Sequence, residues 1–149
     1  MRFRRVIGAW MVALLATSCS LGSTAEAGSI NLYLEVDKGT LPIGETMTIT
    51  VTARNVGYDP LTLTGPSDCL LYVDVLDNQG SVVWNSKGGC AGSTVTEEIV
   101  AGQDKIQSFF WNGTSLAGAR LASGFYHIRG VAQVTGAAYV GPLLSISLE

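Results

Sequence analysis

Histidine is almost missing from this chain of 149 residues, which contains only His127. The motif G-x-S-x-G, which places the nucleophile of many serine hydrolases, does not occur either. A Ser-His-Asp site needs its histidine in a cleft beside a nucleophile. His127 instead lies between Tyr126 and Ile128 in a β-like segment, so its side chain points opposite to theirs, towards a sheet surface. We therefore expect no enzymatic activity.

Basic residues and paired cysteines are also scarce. Removing three leader arginines and Glu26 from the totals of 9 basic and 12 acidic residues leaves 6 and 11 after Ala27, a formal charge of −5. Nucleic-acid-binding proteins carry clustered Lys and Arg, so we expect no nucleic-acid partner. The sequence has no C-x-x-C pair, no EF-hand loop and no phosphate-binding glycine motif. We therefore expect no metal and no cofactor.

Long apolar runs are absent except near the N-terminus. Three arginines precede the uncharged run 6–15, and small residues follow it. This order is typical of a secretory signal, and the run is shorter than the roughly 20 residues that span a bilayer. We predict a signal peptide over 1–18, or alternatively 1–27, then a tether over 19–29 and one domain over 30–149.

Two cleavage sites compete in this leader. The segment 15–19 resembles the lipobox of bacterial lipoproteins, in which Cys19 becomes the lipidated first residue. Small residues before the cysteine favour this interpretation, although Ala16 stands where leucine is usual. The segment 25–27 is an A-x-A site that would release the chain at Gly28. The first predicts an extracytoplasmic membrane lipoprotein that touches the membrane only through its lipid, and the second a secreted or periplasmic protein.

Two cysteines, Cys69 and Cys90, remain for the folded domain. Because exported proteins keep disulfides, we favour a disulfide over a pair of buried thiols. Gln79 is the middle of a predicted hairpin turn, and the cysteines lie ten and eleven positions from it, so they could meet across the open end of that hairpin. The bond would pin a glycine-rich loop and contribute about 3 kcal/mol in the chain-entropy model.

The folded part has a β-like pattern throughout. Between positions 47 and 53, apolar residues alternate with threonines, which is typical of a half-buried antiparallel strand. Asp77 and Gly80 begin and end a turn signal of the kind that closes hairpins. No long segment has helical periodicity. About eight short strands with turns every 8–12 residues indicate an all-β sandwich, and Gly124-Phe125-Tyr126 resembles the tyrosine corner of Greek-key sandwiches.

Four aromatic residues of the predicted strands allow two interpretations. They are Trp84, Phe109, Phe110 and Trp111. They could form a binding surface, because neighbours on a strand face opposite ways and some of them must point away from one core. We favour packing in the core for most of them, since aromatic residues in strands usually serve that purpose.

Several motifs resemble, in order and spacing, the bacterial intracellular proteinase inhibitor family (BsuPI-like domains). The similarity runs from Met47 to Val131 and rests on the turn and strand 76–84, the turn 100–103, the segment 110–113 and the strand 121–130. Valine and alanine replace Leu-x-Pro in 100–103, Ser123 replaces a proline, and Asn112 replaces an aspartate. The resemblance implies an immunoglobulin-like antiparallel β-sandwich and proteinase inhibition.

Two functions follow as hypotheses. In the first, the loop held by the disulfide enters or covers the active site of a secreted or envelope protease, because a rigid loop loses little entropy on binding. In the second, the domain is a non-inhibitory interaction or assembly module of the cell envelope. Both need a protein partner. The candidate binding residues are Ser86, Lys87, Gly88, Gly89, Ala91, Gly92 and Ser93.

Overall fold

The computed structural model describes residues 30–135 and 137–149, which hold eleven strands. The leader, with Cys19 and both cleavage sites, lies outside the described residues. No helix of the described part is long and apolar enough to cross a membrane. The strands are β1 (Ile30–Val36), β2 (Thr40–Leu41), β3 (Met47–Asn55), β4 (Leu61–Pro66), β5 (Leu71–Leu76), β6 (Val82–Asn85), β7 (Thr94–Ile99), β8 (Asp104–Trp111), β9 (Gly124–Val134), β10 (Ala137–Val140) and β11 (Leu144–Leu148).

The strands form two sheets that pack face to face. The first sheet has the order β1-β3-β8 and is antiparallel. The second is built around β9, with β10 and β11 along one edge and β4 and β5 along the other. Further out, β7 pairs with β4, β6 with β5, and β2 with β11. The chain leaves the first sheet after β3 and returns beside it in β8, as expected for a Greek-key sandwich.

The predicted alternation in β3 is confirmed and supplies the centre of the core. Met47, Ile49, Val51 and Ala53 are fully buried, and the threonines between them are not. The same alternation separates two neighbours on β8, since Trp111 is 1% exposed and Phe110 is 71% exposed. The ring of Trp84 lies 6.0 Å from that of Trp111. Most of the aromatic set therefore packs in the core, with Phe110 as the exception.

Three local predictions are confirmed by hydrogen bonds or covalent geometry. The backbone N–H of Gly80 donates to the carbonyl of Asp77 at 3.0 Å, and Gly80 has a φ of 81°, as the predicted turn requires. The hydroxyl of Tyr126 donates to the carbonyl of Ala122 at 2.9 Å, which is the tyrosine corner. Cys69 and Cys90 form a disulfide with Cα atoms 5.7 Å apart, at the open end of the β5–β6 hairpin.

The structure has more strands than the roughly eight that the sequence predicts. Two of the additional strands, β2 and β10, are only two and four residues long. The pairing of β2 with β11 is also parallel, which departs from an entirely antiparallel sandwich. A strand of two residues has no periodicity to detect. Leu41, which is fully buried, pairs with Leu148 of β11 in the second sheet.

Candidate functional site

The candidate binding loop, residues 86–93, begins as a tight turn. Ser86–Gly89 form one 3₁₀ turn, the only helical segment among the described residues. The side-chain oxygen of Asn85 accepts from the backbone N–H of Lys87 at 3.1 Å, which caps the turn. The N–H of Cys90 donates to the carbonyl of Lys87 at 2.9 Å and closes it. The glycines that follow Lys87 therefore have a defined backbone path.

Three attachments hold this loop against the second sheet. The hydroxyl of Ser86 accepts a hydrogen bond from the backbone N–H of Val73 at 3.0 Å. The disulfide fixes position 90. The N–H of Ser67 donates to the carbonyl of Ser93 at 3.0 Å. Because the attachments lie at the start, middle and end, the loop does not need a partner to order it.

A shallow depression of about 270 Å³ lies beside the loop. The described residues that line it are Pro66, Cys69, Lys87, Cys90 and Gln133. Of these five, only Lys87 carries a charge. The Nζ atom of Lys87 lies 4.0 Å from the centroid of the Tyr72 ring, a cation–π contact that fixes the ammonium group over β5. The depression thus combines an apolar wall with one positioned cation.

The structure brings the predicted residues together and adds others. Five of the seven loop residues are exposed, whereas Ser86 and Gly92 are partly buried. Sequence reasoning missed Pro66, Tyr72 and Gln133, which come from β4, β5 and β9. The cysteine pairing was the available signal for two of them, since Pro66 and Tyr72 each lie three positions from Cys69. No local pattern points to Gln133, because the pairing of β9 with β4 and β5 brings it there.

Polar side chains elsewhere on the second sheet satisfy one another. His127 lies half-buried on the outer face, opposite to the buried Tyr126, as predicted, and its Nδ1 is 3.1 Å from the hydroxyl of Ser145. Arg129 donates twice to one carboxylate oxygen of Asp74, at 2.9 and 3.1 Å. Within residues 30–135 and 137–149, no three His, Cys, Asp or Glu side chains are grouped so that they could hold a metal ion.

Gly92 tests how tightly the loop is fitted. A Cβ atom there would collide with the hydroxyl oxygen of Ser67 and would lie 3.0 Å from both the Cβ atom and the backbone nitrogen of Ser67, which cannot rotate away. We expect Gly92→Ala to displace Ser67 and lower the free energy of unfolding by about 1–3 kcal/mol, as overpacking usually does. Gly88→Ala is the matched control, because a Cβ at Gly88 meets nothing within 4 Å. Urea unfolding that leaves both variants equally stable would contradict this fit.

Comparison with known proteins identifies the architecture. No protein-family model and no curated protein sequence matches the chain. A CARDB domain from Pyrococcus furiosus, solved with di-metal ions, matches 83% of the chain and 90% of that domain at 13% identity and a TM-score of 0.50. The fold is an immunoglobulin-like β-sandwich. The chain is also similar to the sporulation control protein Spo0M from Bacillus subtilis, at 11% identity and a TM-score of 0.55, over 82% of this chain.

These similarities extend to the fold alone. The chain spans 50% of the length of Spo0M. It is also similar to a β-glucosidase from Erythrobacter marinus, at 11% identity and a TM-score of 0.51. That match covers 82% of this chain but only 16% of the β-glucosidase. Such low identity carries no residue roles, since one sandwich serves many unrelated functions. The resemblance to BsuPI-like domains stays a prediction.

Proposed function

We propose that this protein is an exported, lipid-anchored immunoglobulin-like domain of the cell envelope that binds a protein partner through the loop 86–93. The observation that carries the proposal is the triple attachment of the loop beside a depression with one positioned cation. A loop that is ordered before binding loses less conformational entropy when the partner arrives. The leader and the disulfide support export, because disulfides persist outside the cytoplasm.

The chemistry of the depression favours an acidic group on the partner. Among the described residues that line the depression, only Lys87 is charged. The disulfide and Pro66 form an apolar surface around Lys87. An acidic side chain or a terminal carboxylate flanked by an apolar residue would satisfy both features. The domain as a whole carries a net negative charge. Lys87 would therefore attract an acidic partner group to this depression, while the net charge of the domain would disfavour its binding elsewhere.

Protease inhibition is the second candidate, and two features support it. They are the resemblance to BsuPI-like domains and a disulfide that constrains the candidate loop. A substrate-like inhibitory segment binds as an extended strand, whereas Ser86–Gly89 form a 3₁₀ turn. An inhibitor built on this loop would therefore cover the active site of its protease, without inserting a strand into it.

The binding proposal predicts that partner recovery depends on Lys87. We expect Lys87→Ala to weaken binding about tenfold, because it removes the cation of the depression. Chemical cross-linking in intact cells, followed by titration of the recovered partner against the purified protein, measures the effect. Lys38→Ala is the matched control, because Lys38 is paired with Glu45 at 2.8 Å on another part of the domain.

Three outcomes separate the candidate functions. A partner bound equally well by the wild type and by a folded Lys87→Ala variant would exclude this loop as the contact. Inhibition of a secreted serine protease or metalloprotease by the wild type, lost in Lys87→Ala, would favour the inhibitor. Binding without inhibition at micromolar concentration would favour the non-inhibitory module. Mass spectrometry of the N-terminus tests anchoring separately, since it distinguishes a diacylglyceryl group on Cys19 from a free Gly28.

A further inference from the structure

Three apolar side chains stand exposed at one end of the sandwich. Val56 and Tyr58 belong to the connection between β3 and β4, and Val100 belongs to the turn between β7 and β8. Their exposed fractions are 44%, 100% and 51%. We call these three residues the apolar tip. Ile43, Leu116 and Phe125 are also exposed at the opposite end, so exposure alone does not choose between the two ends, and the position of the chain's N-terminal side decides.

The apolar tip is held rigidly by Asn55, a fully buried polar residue. The side-chain amide of Asn55 donates to the carbonyls of Asp59 at 2.7 Å and Ile99 at 2.8 Å, and its oxygen accepts from the N–H of Gly57 at 2.9 Å. The backbone of Asn55 also bonds to residues 102 and 103. These bonds join both loops of the tip, so its exposure is a feature of an ordered structure.

The strand β1, which follows the predicted tether in the sequence, begins at this same end. Ile30, the first residue of β1, pairs with Asn55 in the first sheet. Ten residues, 20–29, separate it from the predicted lipidation site at Cys19, so the path from Cys19 to Ile30 has eleven residue steps. Eleven residues span at most about 40 Å when fully extended. The end that carries the apolar tip is therefore the end closest along the chain to the predicted anchor.

We propose that the apolar tip lies on the lipid surface to which the protein is anchored, a proposal that rests on the lipid anchor proposed above. Tyrosine has an apolar ring and a polar hydroxyl, which suits the interface between headgroups and acyl chains. The flanking charges include Arg54 and Asp104, whose nearest charged atoms are 3.8 Å apart. Asp59, directly after Tyr58, is also exposed. Acidic residues therefore outnumber basic ones among these three, so the contact would depend on apolar burial and not on attraction to anionic lipid.

The consequence is a fixed orientation of the domain. Trp111, at the far end of β8, pairs with Met47, at the opposite end of β3 from Asn55. The connection from β8 to β9, which contains the exposed Leu116, thus faces away from the membrane. A lipid anchor alone would leave the domain free to turn, whereas the tip would hold this far end towards the surroundings.

A tryptophan placed at the tip tests the proposal. The mature protein, purified from cells with its N-terminal modification and carrying Tyr58→Trp, is reconstituted into phosphatidylcholine vesicles with or without brominated acyl chains. We expect the fluorescence emission of the tryptophan at position 58 to lie at shorter wavelength in vesicles than without them, and to be quenched by the brominated lipid. Leu116→Trp is the matched control at the opposite end, and we expect neither change. The native tryptophans are the same in both variants, so they contribute equal backgrounds.

Each outcome decides the inference. If Cys19 carries lipid and both variants are quenched equally, the anchor stands and the orientation is wrong. If Cys19 carries no lipid, the anchor proposal fails. The inference then stands only if adding brominated vesicles to the free protein quenches Tyr58→Trp selectively. A shift of the Tyr58→Trp emission that needs high protein concentration and no vesicles would mean self-association and would overturn it.

Discussion

Trp111→Ala is expected to lower the free energy of unfolding by about 3–5 kcal/mol, the usual range for deleting a buried tryptophan. Trp111 is 1% exposed, packs near Trp84 and lies at the end of β8, where it pairs with Met47. Its indole N–H also donates to the carbonyl of Thr114 at 2.9 Å and so ties the following loop to the core. Urea unfolding followed by circular dichroism measures the loss.

The neighbouring residue supplies the control. Phe110 is aromatic, lies on the same strand and is 71% exposed, so Phe110→Ala should change stability by less than about 0.5 kcal/mol. The comparison tests the alternation of β8 directly, because the two side chains differ mainly in the face they occupy. Similar losses for both variants would mean that the two aromatic residues share one environment, which the sandwich does not allow.

Loss of the disulfide is expected to have the next largest effect. Replacing both Cys69 and Cys90 with alanine should lower the free energy of unfolding by about 3 kcal/mol, because the bond closes a loop across a sequence separation of 21 residues. The hydrogen bonds of Ser86 and Ser93 to the sheet remain available in the variant. The loop should therefore keep its place in the folded state, and the loss should come mainly from the unfolded chain.

Unfolding with and without a reducing agent provides the control for this prediction. Reduction should destabilise the wild type by a similar amount and leave the double variant unchanged. A double variant as stable as the wild type would show that the bond contributes nothing to folding. If the double variant stayed folded but lost its partner, the disulfide would serve binding by holding the edge of the depression beside Lys87.

The two proposals place different parts of the domain in contact with different surroundings. The apolar tip, with Tyr58, would face lipid, and the loop with Lys87 would face a protein. The side chain of Asn55 links the two loops of the apolar tip, whereas the disulfide and Ser86 attach the loop 86–93 to the second sheet. Because these attachments share no residue, a variant of one site should leave the other intact.

Much of the fold was predictable because its signals are local. Alternating residues such as Ile49 and Val51 need only the two-residue period of a strand to be assigned to the core. The turn at Asp77 and the corner at Tyr126 depend on bonds within four residues. The disulfide was predicted from the expected export signal, which would leave two cysteines to the domain, and from their nearly equal distances from Gln79.

The features that were missed depend on distant parts of the chain. In the sequence, Asn55 is only the last residue of an alternating strand pattern. In the structure, its side-chain amide donates to the carbonyl of Ile99, 44 residues later. Lys87 reads as a loop residue, yet its ammonium group lies over Tyr72 of another strand. No spacing rule relates such pairs, because they meet only after the strands have paired.

The sequence by itself therefore determined the β-sandwich, its main core strand and its disulfide, since periodicity, turn chemistry and a count of cysteines specify these within short segments. Only the tertiary structure decided what surrounds the candidate loop and which exposed residues share an end of the domain. The depression takes residues from β4, β9 and the loop, and the apolar tip joins two loops more than 40 residues apart. Such surfaces arise from the packing of elements, which no single segment encodes.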